Sequence, residues 1–369
     1  MYYSYKMTKN PLQSVFNDLK LFEQNNFCYE YLKRIFSDKN EEELEQHANV
    51  ASACFRQASE YYKVASNAGI STSPLLFSYA MNNLLKGVCY LKSFDNEILD
   101  GFKAHGFKVD SSFLTEDALK SKVTIMKQKG AVHSLLKLYD NFLIKQEIPL
   151  YKILRHIPDI ESFYFKLVGS ISLIVKSTKN RKNEYIIAGT SIDDETNEIF
   201  KEFSLMGNIS SNSDFCICYP TMKNKQYFEK EVFNKNNVFY KDYMNIPEKY
   251  DEGLKDINIS FYCYLLIMSY GMMVRYNANI WEKYIDKKGS SYSTLIELSI
   301  PNAVINFYYQ MHYLLFGFYY ENDSFTEIDI KKMIDESTVD IMNNITRKLK
   351  SRGIQYGEDV ILPWKEKVR

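Results

Sequence analysis

The sequence predicts a mainly α-helical protein, a multi-helix assembly around an aromatic-rich core with a small α+β insert in the middle of the chain. Three observations point there. Apolar residues recur at helical spacing over long stretches on both sides of mid-chain. Breakers are scarce, with 14 Gly and 8 Pro in 369 residues, which favours long helices. Rings are plentiful, 30 Tyr and 24 Phe, so large side chains are available to fill an interior. With 46% apolar and 25% charged residues, the chain has the composition of a folded protein rather than a disordered one.

Taken in order, the first strong helix runs from Glu41 to about Asn67. Acidic residues stand at its positive end, Gly69 stops it, and Val50, Cys54, Phe55, Ala58, Tyr62 and Ala65 form its apolar stripe. Ser73 can cap the next helix and Pro74 can take its first position; it ends near Lys92, making a helical hairpin. Further helices are predicted after Thr115, with Glu116 and Asp117 in the first turn, from Ala131 to Leu143, and from about Leu150 to Val168. Between Ile171 and about Pro247 the pattern changes. SLIVKS and EYIIAG flank a polar KNRKN turn, and DFCICYP follows a short amphipathic helix, which predicts a small sheet or long hairpin. Helices return from Asp256 through Tyr284 and between Leu295 and Tyr320. A terminal amphipathic helix is predicted from Thr326 to Arg352, with Ile330, Met333, Ile334, Ile341, Ile345 and Leu349 on one side and Gly353 as its stop. The expected organisation is therefore an N-terminal helical region 1–170, an α+β insert 171–250 and a C-terminal helical region 251–369 packing on the first.

Charge excludes some partners. Lys plus Arg equals Asp plus Glu at 46 each, so no global field draws the chain onto nucleic acid or an anionic membrane; any such contact needs a local patch. The basic clusters at Lys176–Lys182 and Arg347–Arg352, and the tail with Lys365, Lys367 and Arg369, read as a solvated turn, a helix C-terminus and a frayed end. The N-terminal MYYSYKMTKNPLQ has no apolar export core, so a cytoplasmic location is expected. Two apolar stretches read as buried helices rather than membrane spans: Ile259–Val274 is short, and Ile300–Tyr320 contains Asn302, Asn306, Gln310 and His312. The six cysteines form no disulfide framework, and Cys216 with Cys218 lacks a second ligand pair, so reduced core thiols are expected and no metal site or cofactor.

Phosphate-loop, dinucleotide, zinc-hydrolase, deaminase and serine-elbow signatures are all missing, so no motif fixes a reaction. What remains is polar residues inside apolar helices. Tyr79, Asn83, Lys86 and Tyr90 fall along one line of a helix with apolar residues on nearly every face. They form either a hydrogen-bonded strip facing a pocket or a satisfied core network with a Lys that snorkels to water. Arg56, Glu60 and Lys63 can pair on the preceding helix surface. Arg275, after sixteen mostly apolar residues, is either a buried anion clamp or the polar end of a buried helix. Of five histidines, His312 suits a hydrogen-bonded core role. His105, in Ala104-His105-Gly106-Phe107, lies in a loop where Gly106 permits close backbone approach, and is the candidate acid or base.

FRQASEYYKVASNAG followed by SPLLFSYAMNNLLKG, then His105-Gly106 and MVRYNANIWEKY, resembles the YaaC-like family of bacterial proteins, nearly end to end and most strongly over residues 50–107 and 265–285. That family is similar in general shape to helical HEPN-type proteins, many of which act on RNA in toxin or antiphage settings. No Arg precedes any of the five histidines at the Arg-x4–6-His interval typical of HEPN ribonucleases, so a ribonuclease of that kind is not expected. Two functions are carried forward. One is a cytosolic antiphage defence effector or sensor that recognises a nucleotide or nucleic-acid phosphate, with Tyr79, Asn83, Lys86 and Arg275 as ligand contacts. The other is a non-enzymatic interaction protein, in which the helix from Ala303 to Tyr320 buries against a second copy or a partner protein.

Overall fold

Helix-forming sequence at the start of the chain is already folded by residue 11 in the computed structural model, which describes residues 4–8, 10–109, 118–126, 130–141, 146–168, 174–179, 185–188, 207–212, 215–220, 243–245, 257–288, 290 and 292–322. Residues 1–6 and 12–319 make up one compact unit, and residues 7–11 and 320–369 a second. Strand β1 (Ser4–Thr8) precedes α1 (Pro11–Leu21) and α2 (Asn25–Ile35), two helices that the sequence reading passes over. Phe22, between them, is an aromatic hub. Its ring centre lies 5.0 to 5.5 Å from those of Phe27, Tyr31, Phe55 and Phe316.

The predicted hairpin is present as α3 (Glu41–Ala65) and α4 (Ser73–Lys92). Asn40 caps α3, its Oδ1 accepting the Glu43 N–H at 2.8 Å, with Glu41, Glu42 and Glu43 at the positive end. Ser73, expected as the cap of α4, is instead its first helical residue and Thr72 stands at the cap. Two glycines fix how closely α4 meets its neighbours. A Cβ on Gly87 would lie 2.8 Å from the Phe55 ring on α3.

α5 (Asn96–Leu99) and a 3-10 turn (Asp100–Lys103) lead to a region where short strands alternate with short helices: β2 (Phe107–Lys108), a 3-10 turn (Ala118–Lys120), β3 (Lys122–Ile125), α6 (Gly130–Lys137), β4 (Gln146–Pro149), α7 (Leu150–Leu154) and α8 (Glu161–Val168). The strands form an antiparallel sheet, β2-β3-β4, with Phe107 opposite Ile125 and Val123 opposite Ile148. This corrects the helix expected after Thr115. Val123-Thr124-Ile125 is a β-branched run whose residues are all buried, and it pairs rather than coils; Glu116 and Asp117 lie outside the described residues. The single helix expected from Leu150 to Val168 is two. Pro158 disfavours helical backbone at Ile157, and Asp159 then takes φ 62°. The halves stay tied by the Tyr164 hydroxyl, which donates to the Tyr151 carbonyl at 2.9 Å.

The insert contains β5 (Ile174–Lys179), β6 (Tyr185–Ala188), β7 (Gly207–Asn212), β8 (Phe215–Pro220) and β9 (Tyr243–Asn245), an antiparallel sheet in the order β7-β8-β6-β5-β9. β5 and β6 are the predicted hairpin, and β8 is the DFCICYP strand. The short helix expected before β8 and the terminal helix from Thr326 to Arg352 lie outside the described residues.

Three helices complete the core: α9 (Ile259–Tyr276), α10 (Ala278–Ile285) and α11 (Ser293–Phe316), followed by β10 (Phe318–Asn322). Asn258 caps α9 through its Oδ1 and the Ser260 N–H at 2.8 Å. The long helix expected from Asp256 breaks at Asn277, and the one expected to reach Tyr320 stops at Gly317, whose φ of 73° forms a left-handed cap. α9 packs on α4 and α11 and is buried from Ile259 to Gly271 on every side. A Cβ on Gly271 would lie 2.7 Å from Ser78 Oγ on α4. Among the described residues no helix is long and apolar enough to cross a membrane, and no group of three metal-binding side chains occurs.

Candidate functional site

The line predicted on α4 divides between different neighbours. Tyr79 meets the C-terminal end of α9, where the Arg275 Nη1 donates to its hydroxyl at 3.3 Å. Asn83 turns back along its own helix and donates to the Tyr79 carbonyl at 3.0 Å. Lys86 lies two turns, ~10 Å of axis, beyond Tyr79. It is half-buried beside Cys54 of α3, and its charge opposes the burial that raises the Cys54 thiol pKa. The α4 amide that bonds to a core residue is Asn82, which the sequence reading missed; half-buried itself, it accepts through Oδ1 from the buried Tyr264 hydroxyl at 2.8 Å.

Arg275 is the exposed, polar end of an otherwise buried helix, one of its two predicted roles. Its guanidinium sits 5.0 Å from the centre of the Tyr276 ring, and Tyr276 is 60% exposed. Across Tyr79, the Tyr61 ring of α3 lies 5.3 Å away. Among the described residues Arg275 has no carboxylate partner. It therefore presents an unneutralised, planar, five-donor cation beside two tyrosine rings.

His105 comes to the same neighbourhood from the loop before β2. Partial enclosure, and then the charge of Arg275, push its pKa below the usual histidine value. The loop is held by its backbone, which leaves the imidazole exposed. The His105 carbonyl accepts the Val132 N–H at 3.2 Å, the Ala104 carbonyl accepts from Ala131 at 2.9 Å, and the Gly106 carbonyl accepts from Met126 at 2.8 Å. The bonds from Ala131 and Val132 occupy N–H groups at the start of α6, which the helix itself cannot satisfy. Gly106 and Gly130, at φ 85° and 80°, touch backbone to backbone, so a Cβ on Gly130 would collide with Gly106. The structure thus joins Tyr79 and Arg275 by a hydrogen bond and sets His105 within the field of the Arg275 charge, while Asn83 bonds back to its own helix and Lys86 lies by Cys54.

Among the described residues, two grooves adjoin α3. A groove of about 430 Å³ runs between α1, α3 and α11, with Phe16, Tyr62 and Tyr308 among its lining residues. A second, of about 330 Å³, adjoins it through Tyr62 and Ser66. None of Tyr79, Asn83, Lys86, His105 and Arg275 lines either groove. Arg56, expected to pair on the α3 surface, instead donates through Nη1 to the Glu23 carbonyl at 2.6 Å, closing the turn after α1. His312 is fully buried, as expected of a core residue, and its Nε2 lies 2.9 Å from Asp18 Oδ2.

Among known families, the model described as YaaC-like Protein matches residues 20–315. No curated protein and no solved structure matches the chain.

Proposed function

The chain belongs to the YaaC-like family, and from that premise we propose that it recognises a nucleotide or nucleic-acid phosphate on the surface where Arg275, Tyr79 and His105 meet. The observation that carries this is Arg275, a guanidinium without a carboxylate partner among the described residues, oriented by the Tyr79 hydroxyl at 3.3 Å. A guanidinium fork matches two phosphate oxygens, and charge-assisted pairs of this kind are the stronger class of hydrogen bond. Tyr61 and Tyr276 add ring faces on which a base can stack, worth ~1–3 kcal/mol per base. Open rings beside an exposed cation suit a flexible strand end or a free nucleotide. His105, neutral near pH 7 because its pKa is lowered, can bond a phosphate and gain a proton as the anion arrives. A cytosolic antiphage sensor or effector is the setting this reading fits, drawn only from the family's resemblance in general shape to helical HEPN-type proteins.

The test is binding of adenosine triphosphate and of a short labelled RNA by calorimetry and fluorescence anisotropy. Arg275→Ala should weaken either ligand about tenfold, Arg275→Lys should recover only part of that, and Lys86→Ala should change it less than about twofold. Unchanged binding by a folded Arg275→Ala protein rejects the reading. Assembly through the helix from Ala303 has less support. Ala303, Val304, Phe307, Tyr308, Met311 and Leu315 are already buried inside the chain, so little of that surface is left for a second copy.

A further inference from the structure

The 430 Å³ groove between α1, α3 and α11 is independent of Arg275 and has its own chemistry. Three rings wall it: Phe16 lies 4.5 Å from Tyr62 and 5.1 Å from Tyr308, and Tyr62 lies 5.1 Å from Tyr308, each pair tilted by about 50°. Tilted rings at these distances leave edges and faces for one more flat ring. The polar residues of the lining are mostly held by bonds of their own. Gln13 Nε2 donates to Asn17 Oδ1 at 2.9 Å, and Asn67 Nδ2 to the Lys63 carbonyl at 2.8 Å. Lys20 and Lys63 are different, because neither ammonium has a carboxylate partner among the described residues. Glu23 is the acid of the lining, and the neighbouring Arg56 guanidinium holds its carbonyl at 2.6 Å. The balance of charge is positive, and the volume falls within the ~300–1,000 Å³ of small-molecule sites.

We propose that this groove binds a small molecule made of a planar ring and one anionic group, the ring against Phe16 and Tyr62, with the buried Tyr308 packed on both, and the anion between Lys20 and Lys63. Carboxylate and phosphate monoester share that chemistry. Both lysines are exposed, so each contributes a modest, salt-screened attraction.

The probe is the fluorescent dye anilinonaphthalene sulfonate, with uncharged phenylnaphthylamine as its neutral counterpart. The dye should bind saturably at one site. Lys20→Ala with Lys63→Ala should weaken the sulfonate about tenfold and leave the neutral dye within about twofold. Ser66→Trp, an exposed change that fills the rim shared by both grooves, should weaken both dyes. Naphthoate and adenosine monophosphate, added as competitors, separate a carboxylate ligand from a phosphate one, and displacement by either supports the site. Displacement by neither overturns it, as does a lysine double variant that binds the sulfonate like the parent, or a Ser66→Trp protein that binds both dyes unchanged. Arg275→Ala should leave dye binding as it was. If it abolishes dye binding, the dye sits on the Arg275 surface and the groove proposal fails while the phosphate reading stands.

Discussion

At the scale of single residues, the contact between Gly106 and Gly130 sets the position of His105. Gly130→Ala would force a Cβ into the Gly106 backbone at a φ that side chains rarely adopt, and should cost about 3 kcal/mol or more in urea unfolding. Gly317→Ala, also at positive φ but with open space around it, should cost only about 1 kcal/mol. Histidines give a pH dependence whose sign follows from burial. His47, His105, His133 and His312 all have pKa values lowered, chiefly by burial, so below about pH 6.5 the unfolded chain binds more protons than the folded one. Stability should be fully present above that pH and decline as pH falls through it toward the lower folded values. Urea midpoints at about pH 7.5 and about pH 5.5 check this, and His312→Gln should flatten the slope most, because His312 is fully buried. The sequence singled out Tyr79, Arg275 and His105 for their residue type. It could not show that Tyr79 and Arg275 meet, because they are 196 positions apart. Nor could it separate Asn82, which bonds across to Tyr264, from Asn83, which bonds within α4: with apolar residues on most faces of α4, the helical phase that would tell one face from another is weak.

At the scale of elements, capping and breaking residues were the readable signals. α3 begins at Glu41, where the acidic residues of its first turn say it should, and Asn40 caps it. Asn40→Ala should lower stability by about 1 kcal/mol, read as a shift in the urea midpoint without a change in slope. A larger loss would mean that Asn40 does more than cap. The β5–β6 hairpin was legible because two β-branched runs flank a polar turn. β2, β3 and β4 were not, since strands of two to four residues are too short to display an alternation. Their stability comes instead from pairing with residues distant in the chain, as Val123 does with Ile148. The break at Pro158 follows from the rule that the residue before proline avoids helical backbone. The break at Asn277 has no comparable local cause and depends on where α10 docks, with Trp281 Nε1 donating to the Ile70 carbonyl at 3.3 Å.

At the scale of the whole molecule, burial is graded. α9 is enclosed by α4 and α11 and has Leu265, Leu266, Ile267 and Tyr270 fully buried, whereas α2 keeps one face to solvent with Ile35 43% exposed. Amide exchange followed by mass spectrometry should therefore be slowest in peptides covering 259–273 and markedly faster in those covering 25–35; equal protection would contradict this gradient. The aromatic composition foretold that interior.

Gly87 of α4 against Phe55 of α3, and Gly271 of α9 against Ser78 of α4, set two close helix contacts that share α4. Lineages that diverge from this sequence should therefore change these positions in matched pairs, a bulkier residue at 87 arriving with a smaller one at 55. Such paired exchange would be a record of close packing that can be looked for without folding a single protein.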